Sequence, residues 1–307
     1  MNLTFGNTLI GYHAHCVDGL TSAYVIAEYL NKQVMSWYTK ALSYNTDSQV
    51  ELLEQLDDDE YSLLYIVDFS LPLELIDTIR TNHPDLMIII LDHHKTAFEM
   101  YAPGMEVEKE SVFTKLEKKL AIHLDNNKSG AGLCWEYCNG KRAEKPELVK
   151  YVQDWDLWRF KYGDKTKYVH HFILNSNRTI NTMAWLATTL EDPILAESVF
   201  DKGKEFYEEH MKKVTSYVEA AEPIIILGVR ALAVACDGKF ASEVGNELAK
   251  KSGTFGATYS LEKGHRIKWS FRGVPGFDVS RLAKRLGGGG HRGAAGVELS
   301  IAPRGDS

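Results

Sequence analysis

The sequence predicts a two-domain α/β protein: a larger N-terminal domain on a parallel sheet, then a smaller C-terminal α/β domain. Three observations carry this. Short aliphatic runs alternate with segments of helical periodicity up to about residue 160. From Pro193 to Glu222, Leu195, Val199, Phe206, Met211, Val214 and Val218 recur among charges, and Pro223 closes the stretch. A long amphipathic helix ended by proline suits a spacer between domains. Ile224 to Leu227 then opens a fresh strand pattern. The implied boundaries are 1–190, a linker helix over 191–222, and 223–307.

Taken in order, Leu9 to His13 reads as the first strand. The helix over 19–30 places Leu20, Ala23, Tyr24 and Ala27 on one face. Val34 to Thr39 reads as a second strand, 47–56 as a helix, and Ser62 to Val67 as a third strand ending at Asp68. A helix over 71–83 precedes the run Leu86 to Leu91, whose aliphatic, β-branched composition is that of a strand buried on both faces. Residues 101–119 are polar, contain Pro103-Gly104, and read as a surface excursion. Leu120 to Leu124 is one more strand, and 129–138 and 145–155 are helices.

Composition narrows the function. With 44% hydrophobic and 25% charged residues, the chain is of the soluble globular kind. No apolar run is long enough to span a bilayer, and the N-terminus lacks the basic and apolar regions of a secretion signal. Four scattered cysteines (Cys16, Cys134, Cys138, Cys236) make no disulfide framework, so a cytoplasmic location is expected. Cys134 and Cys138 share a helix face and read as packing rather than zinc ligands. The net charge of −7 argues against coating duplex nucleic acid. The charge is uneven, however. Residues 261–296 hold eight Lys and Arg against Glu262 and Asp278, which suggests a locally held anion.

Chemistry concentrates at strand ends. Asp92-His93-His94 follows the buried run 86–91, His13 and Asp18 follow the first strand, Asp68 ends the third, and Asp154 comes from the helical region beyond. In a parallel sheet the carboxyl ends of neighbouring strands converge, so His13, Asp18, Asp68, Asp92, His93 and His94 are expected to meet at one crevice. Each has a structural alternative: Asp18-Gly19 a turn and helix cap, Asp68 a cap before Leu71-Pro72, His13 a core histidine. Those alternatives would have to hold independently at every strand end. Carboxylate and imidazole ligands suit Mn2+ or Mg2+, or another divalent ion, rather than structural zinc. Two such ions lower the pKa of water and neutralise a phosphoryl oxygen. The second signal is the run from Gly287 to Gly296, Gly-Gly-Gly-Gly-His-Arg-Gly-Ala-Ala-Gly, after the amphipathic stretch Val279 to Leu286. Consecutive glycines allow backbone N–H groups to close on an anion, with His291 and Arg292 adding charge-assisted bonds.

Together, strand-end Asp68, the Asp92-His93-His94 triplet and the C-terminal glycine run resemble the DHH phosphoesterase superfamily with its DHH-associated C-terminal domain. The resemblance covers essentially the whole chain. It implies a cleft between two α/β domains, metals on the first and substrate recognition on the second. By position, Asp18, Asp68, His93 and Asp154 match metal ligands, with Asp68 bridging, and His13 resembles the histidine of the first motif. His94 matches a phosphate-contacting proton donor, and Asp92 would orient the imidazoles. His291 with Gly289 and Gly290 matches the substrate-phosphate loop. Arg272 resembles a phosphate-binding arginine of the nano-RNase group. The departure is Cys16-Val17-Asp18-Gly19, where many members carry Asp-x-Asp-Gly. A thiol stands in for one carboxylate, so one or two ions are compatible with the sequence and one position would favour a softer ion. Trp155, Trp158 and Trp269 near these motifs read as packing before base stacking. The expected activity is a Mn2+-dependent phosphodiesterase or exonuclease acting on short single-stranded oligonucleotides. A phosphohydrolase of small nucleotides (adenosine bisphosphate, linear or cyclic dinucleotides) is the alternative. A nucleotide-binding module with a decayed metal site is the non-enzymatic one.

Overall fold

A computed structural model of the chain describes residues 7–107, 110–262, 266–290 and 292–300. The chain divides into two compact units, Met1–Tyr207 and Glu208–Ser307. The division falls inside one long helix, within the segment 191–222.

The first unit begins β1 (Asn7–His13), α1 (Val17–Lys32), β2 (Trp37–Leu42), α2 (Thr46–Asp58), β3 (Tyr61–Val67), α3 (Leu73–Asn82) and β4 (Met87–Asp92). It continues with α4 (Lys95–Tyr101), β5 (Val112–Glu117), β6 (Leu120–Asp125), α5 (Gly130–Asn139) and α6 (Glu147–Asp156). Then come α7 (Asp164–Leu174), α8 (Ile180–Glu191) and the start of α9 (Pro193–Glu219). Its sheet has the order β2-β1-β3-β4-β6-β5, parallel except for β5. The strands alternate between two cores, as a sheet covered on both faces must. Ile10, Tyr65, Val67, Ile89 and Leu91 pack with α1, α5, α6, α7 and α8 on one side. Leu9, Leu64, Ile66, Ile88 and Ile90 pack with α2, α3 and α4 on the other.

Two expectations need correcting. Residues 101–119 are not wholly a surface excursion, because Val112–Glu117 pairs antiparallel with β6 as the sheet edge. Phe113 packs on the core while Val112 and Leu116 are exposed, so the strand carries almost no apolar period to read. The second strand starts at Trp37 rather than Val34. Val34 is 94% exposed with φ 57°, and Met35 N–H donates to the Leu30 carbonyl to close α1.

The order also locates the site. From β1 the chain crosses to β2 on one flank, whereas β3 and β4 follow on the other. The loops leaving β1 and β3 therefore part at a topological switch point, where open α/β sheets bind ligands.

The second unit holds the end of α9, β7 (Glu222–Ile226), β8 (Val229–Ala235), α10 (Ala241–Ser252), β9 (Phe255–Glu262), β10 (Arg266–Gly273), α11 (Val279–Arg285), β11 (Gly289–Gly290) and β12 (Ala294–Ser300). Its sheet runs β11-β12-β10-β9-β8-β7, with β8 and β9 parallel and the other pairs antiparallel. Helix α10 lies directly on Gly256 of β9. A Cβ there would stand 2.2 Å from the Gly245 carbonyl oxygen and 2.6 Å from Leu248 Cβ. Gly256→Ala is expected to destabilise this unit by about 1–3 kcal/mol, the usual cost of overpacking. Faster hydrogen exchange across α10 and β9 would report it; unchanged exchange would contradict this packing.

Candidate metal centre

The site grows from three strand ends. At the end of β1, His15 takes a left-handed φ of 59° and the chain turns directly into α1. Gly19 makes the closeness possible, since a Cβ there would lie 2.5 Å from the His13 carbonyl oxygen. His13, Cys16 and Asp18 are thereby held together. At the end of β3, Asp68 is fully buried and also left-handed, at φ 54°, with its N–H donating to the Leu91 carbonyl at 2.9 Å. A non-glycine residue in that conformation carries strain that the surrounding structure must hold in place. At the end of β4 comes Asp92-His93-His94.

Asp92, fully buried, is the organiser of that triplet. Its Oδ1 accepts from the His93 N–H (2.7 Å), the His94 N–H (3.2 Å) and His94 Nδ1 (2.7 Å). Its Oδ2 accepts from Ser70 Oγ at 2.5 Å. His94 is thus oriented through Nδ1, leaving Nε2 for a ligand. His93 Nε2 lies 3.0 Å from Asp68 Oδ1, 3.6 Å from Asp156 Oδ2 and 3.7 Å from Asp18 Oδ2. Asp18 is fixed by the start of α5, where Gly130 N–H and Ala131 N–H donate to its two oxygens at 2.5 and 3.0 Å. His13 Nδ1 faces Asp68 Oδ2 at 3.6 Å.

His13, Asp18, Asp68, Asp92, His93 and His94 are therefore brought to one place, as the strand-end pattern anticipates. Asp154 is not. Its carboxylate accepts from Lys161 N–H, Tyr162 N–H and Thr166 Oγ1 at 2.8, 3.2 and 2.5 Å, and so pins the loop after α6. Asp156, two residues on, supplies the carboxylate beside His93 instead. Ser70 is a further participant that no motif marked.

The residues that the resemblance assigns to substrate belong to the second unit. Arg272 on β10 stands opposite Ala294 of β12, packed over Gly245, with guanidinium bonds to Ser242 Oγ (2.8 Å) and the Phe271 carbonyl (3.0 Å). Gly289 and Gly290 are not an open nest. They pair as β11 with Gly296 and Ala295, and a Cβ on Gly290 would meet Ala295 Cα at 2.5 Å. Arg292 is exposed, its carbonyl accepting from Val279 N–H. His291 lies outside the described residues.

Electrostatics set the site apart from packing. Burial, then Asp156 and Asp68, push the Asp18 carboxyl well up. Burial also lifts Asp156, partly offset by His93. Asp68 and Asp92 go the other way: burial opposes ionisation, yet His13 and His93 hold Asp68, and His94 holds Asp92, below the usual carboxylate range. Burial works against both imidazolium forms, but Asp156 and Asp68 lift His93 well above 6.5, and Asp92 lifts His94. Burial and the Asp68, Asp18 and Asp156 charges push the Cys16 thiol up. So many anionic groups in one crevice suit a cation. A direct fit test is the set of buried atoms without a hydrogen-bond partner, which includes His13 Nδ1, Asp68 Oδ2 and Asp156 Oδ2. Ligand atoms of His13, Cys16 and Asp68 lie within 4.8 Å of one another, as do those of Asp18, His93 and Asp156.

A pH dependence follows. A histidine whose folded pKa is raised stabilises the fold below its unfolded value of 6.5 and loses that contribution as pH rises through the folded value. Raised Asp18 and Asp156 act in the same direction from 3.8 upward, whereas lowered Asp68 and Asp92 withdraw stability below 3.8. In chelator, the melting temperature is expected to fall as pH rises above 6.5. Saturating Mn2+ should reverse the slope, because ligands must be deprotonated to bind. A flat profile by scanning fluorimetry would contradict the coupling.

Two RecJ exonuclease structures superpose over this architecture. One, bound to manganese, matches with a TM-score of 0.51 and 13% identity, over 96% of this chain and 86% of that one. The chain has the RecJ fold. The other, from Thermus thermophilus in complex with Mn2+, matches with a TM-score of 0.50 and 12% identity, over 96% of this chain and 50% of that one. RecJ belongs to the DHH superfamily that the sequence motifs resemble. An uncharacterized protein, R106 of Acanthamoeba polyphaga mimivirus, is 29% identical over 94% of this chain and 66% of its own length. The chain thus spans about 66% of the relative it matches. No protein-family model matches the chain.

Proposed function

We propose that the chain is a divalent-cation-dependent phosphoesterase of the DHH type that hydrolyses phosphoester bonds of short single-stranded oligonucleotides. The carrying observation is Asp68: one oxygen faces His13 and the other faces His93, between two separate groups of ligand atoms. A carboxylate so placed suits bridging two cations, Mn2+ or Mg2+. His13, Cys16 and Asp68 would hold one, and Asp18, His93, Asp156 and Asp68 the other. A cation there supplies Lewis acidity, neutralising a phosphoryl oxygen and acidifying water.

The protein's own groups account for the rest. Asp92 keeps His94 in one orientation through Nδ1, and the raised His94 pKa favours the doubly protonated ring. His94 Nε2 would then donate its proton to the departing oxygen as the phosphoester bond breaks. On the second unit, Arg272 would contribute a fixed cation for binding phosphate, as the resemblance implies. RecJ likeness supports a nuclease; short substrates follow from the acidic net charge, which disfavours long polyanions.

The deciding experiment is incubation with Mn2+ and a panel of labelled single-stranded oligonucleotides from two to about a dozen nucleotides, adenosine bisphosphate and cyclic dinucleotides. Fastest release of mononucleotides from the short oligonucleotides is expected. Preferential turnover of adenosine bisphosphate or cyclic dinucleotides would replace this substrate class by the small-nucleotide one. Binding without turnover at any divalent ion would replace the enzyme by a nucleotide-binding module.

A further inference from the structure

Cys16 stands at the start of α1, where its neighbours are ligands rather than core. Its Sγ lies within 4.8 Å of ligand atoms of His13 and Asp68. The latter two point independently to a bound cation. Asp68 is fully buried, and its Oδ2, like His13 Nδ1, is shut off from solvent without a hydrogen-bond partner. The remaining ligand groups at the centre contain only carboxylates and imidazoles. The group at Asp68 Oδ2 therefore includes a sulfur atom, whereas the neighbouring Asp18–His93–Asp156 group, which Asp68 Oδ1 meets through His93 Nε2 at 3.0 Å, is rich in oxygen.

We propose that Cys16 supplies a thiolate ligand, making the His13–Cys16–Asp68 position selective for a thiophilic divalent ion, Zn2+ ahead of Mn2+. The Asp18–His93–Asp156 position keeps a harder donor set that favours Mn2+ or Mg2+. The inference rests on the metallophosphoesterase reading only in placing a cation at Asp68. On binding, the Cys16 S–H bond breaks and its proton passes to solvent. A sulfur–metal bond replaces a metal–water bond, and no oxidation state changes. The centre would then be filled by two different metals.

Co2+ added to the metal-free chain reads the ligation without reference to activity. A thiolate-to-cobalt charge-transfer band in the near ultraviolet is expected. It should vanish in Cys16→Ser and persist in Cys138→Ser, whose thiol lies outside the cluster. Zn2+ affinity should fall at least roughly tenfold in Cys16→Ser, since even loss of an outer partner costs that much. Cys16→Asp, which keeps a ligand, should bind Co2+ without the band and shift the Zn2+ to Mn2+ affinity ratio towards Mn2+. Co2+ bound by the wild type without that band, or a band unchanged in Cys16→Ser, overturns the role of Cys16 and leaves the metal centre standing. Failure of the wild type to bind Co2+ at all overturns both.

Discussion

Asp68→Asn is expected to abolish cation binding at the shared position and to lower turnover by on the order of 10²–10³-fold or more. That is the range for removing one preorganised electrostatic group from an active site. Asparagine is the informative replacement. Asp68 holds φ 54°, a conformation that asparagine tolerates. Alanine would add about 1–2 kcal/mol of backbone strain to any functional loss. The amide keeps the volume but removes the charge that pairs with His93 at 3.0 Å and faces His13 at 3.6 Å. Mn2+ titration calorimetry and hydrolysis of a short oligonucleotide, alongside a melting curve, separate the effects. Unaltered Mn2+ binding in a folded Asp68→Asn chain would remove Asp68 from the centre.

Gly130→Ala is the steric counterpart. A Cβ on Gly130 would stand 2.6 Å from Asp68 Cβ, 2.8 Å from Ser22 Oγ and 3.0 Å from Asp18 Oδ2. Asp68 Cβ is tied to the left-handed backbone at the end of β3, Ser22 Oγ is bonded to the Asp18 carbonyl, and Asp18 Oδ2 accepts from the Gly130 N–H itself, so each is held where it stands. The start of α5 must retreat, and with it the two N–H groups that fix Asp18. A stability loss of about 1–3 kcal/mol is expected from overpacking. Activity should fall by up to roughly 10²-fold, because a shift of about 1 Å at a catalytic centre can cost that much. Wild-type turnover in Gly130→Ala would mean that the α5 contact does not set the geometry of Asp18.

Much of the centre was legible because a parallel sheet converts sequence position into spatial position. Polar residues immediately after aliphatic runs fall at carboxyl ends, so His13, Asp18, Asp68 and the 92–94 triplet were assignable from the runs before them. Asp154, placed among the ligands by the resemblance and not by a strand end, shows where that logic stops. Asp154 and Asp156 differ by two residues at the end of α6, about 200° apart around the helix axis. Nothing in Gln-Asp-Trp-Asp says which faces the sheet end. The answer lies in the returning loop, where Trp158 and Phe160 turn through left-handed φ of 53° and 50°. Lys161, Tyr162 and Thr166 then fall on Asp154.

The glycine run shows the same limit in the second unit. Composition marked it as special, but Gly289 and Gly290 are spent in pairing with Gly296 and Ala295. Hydrogen bonding between strands is a relation between segments, which a local pattern does not carry.

By itself the sequence determined the α/β class, the alternation of elements to residue 160, and the residue types gathered at strand ends. Hydrophobic periodicity and strand-end position are local quantities, written directly in the order of residues. Only the tertiary structure decided that Asp156 rather than Asp154 faces His93, and which ligand atoms gather at each oxygen of Asp68. Those are contacts between residues distant in the chain, settled by the close approaches that Gly19 and Gly130 permit.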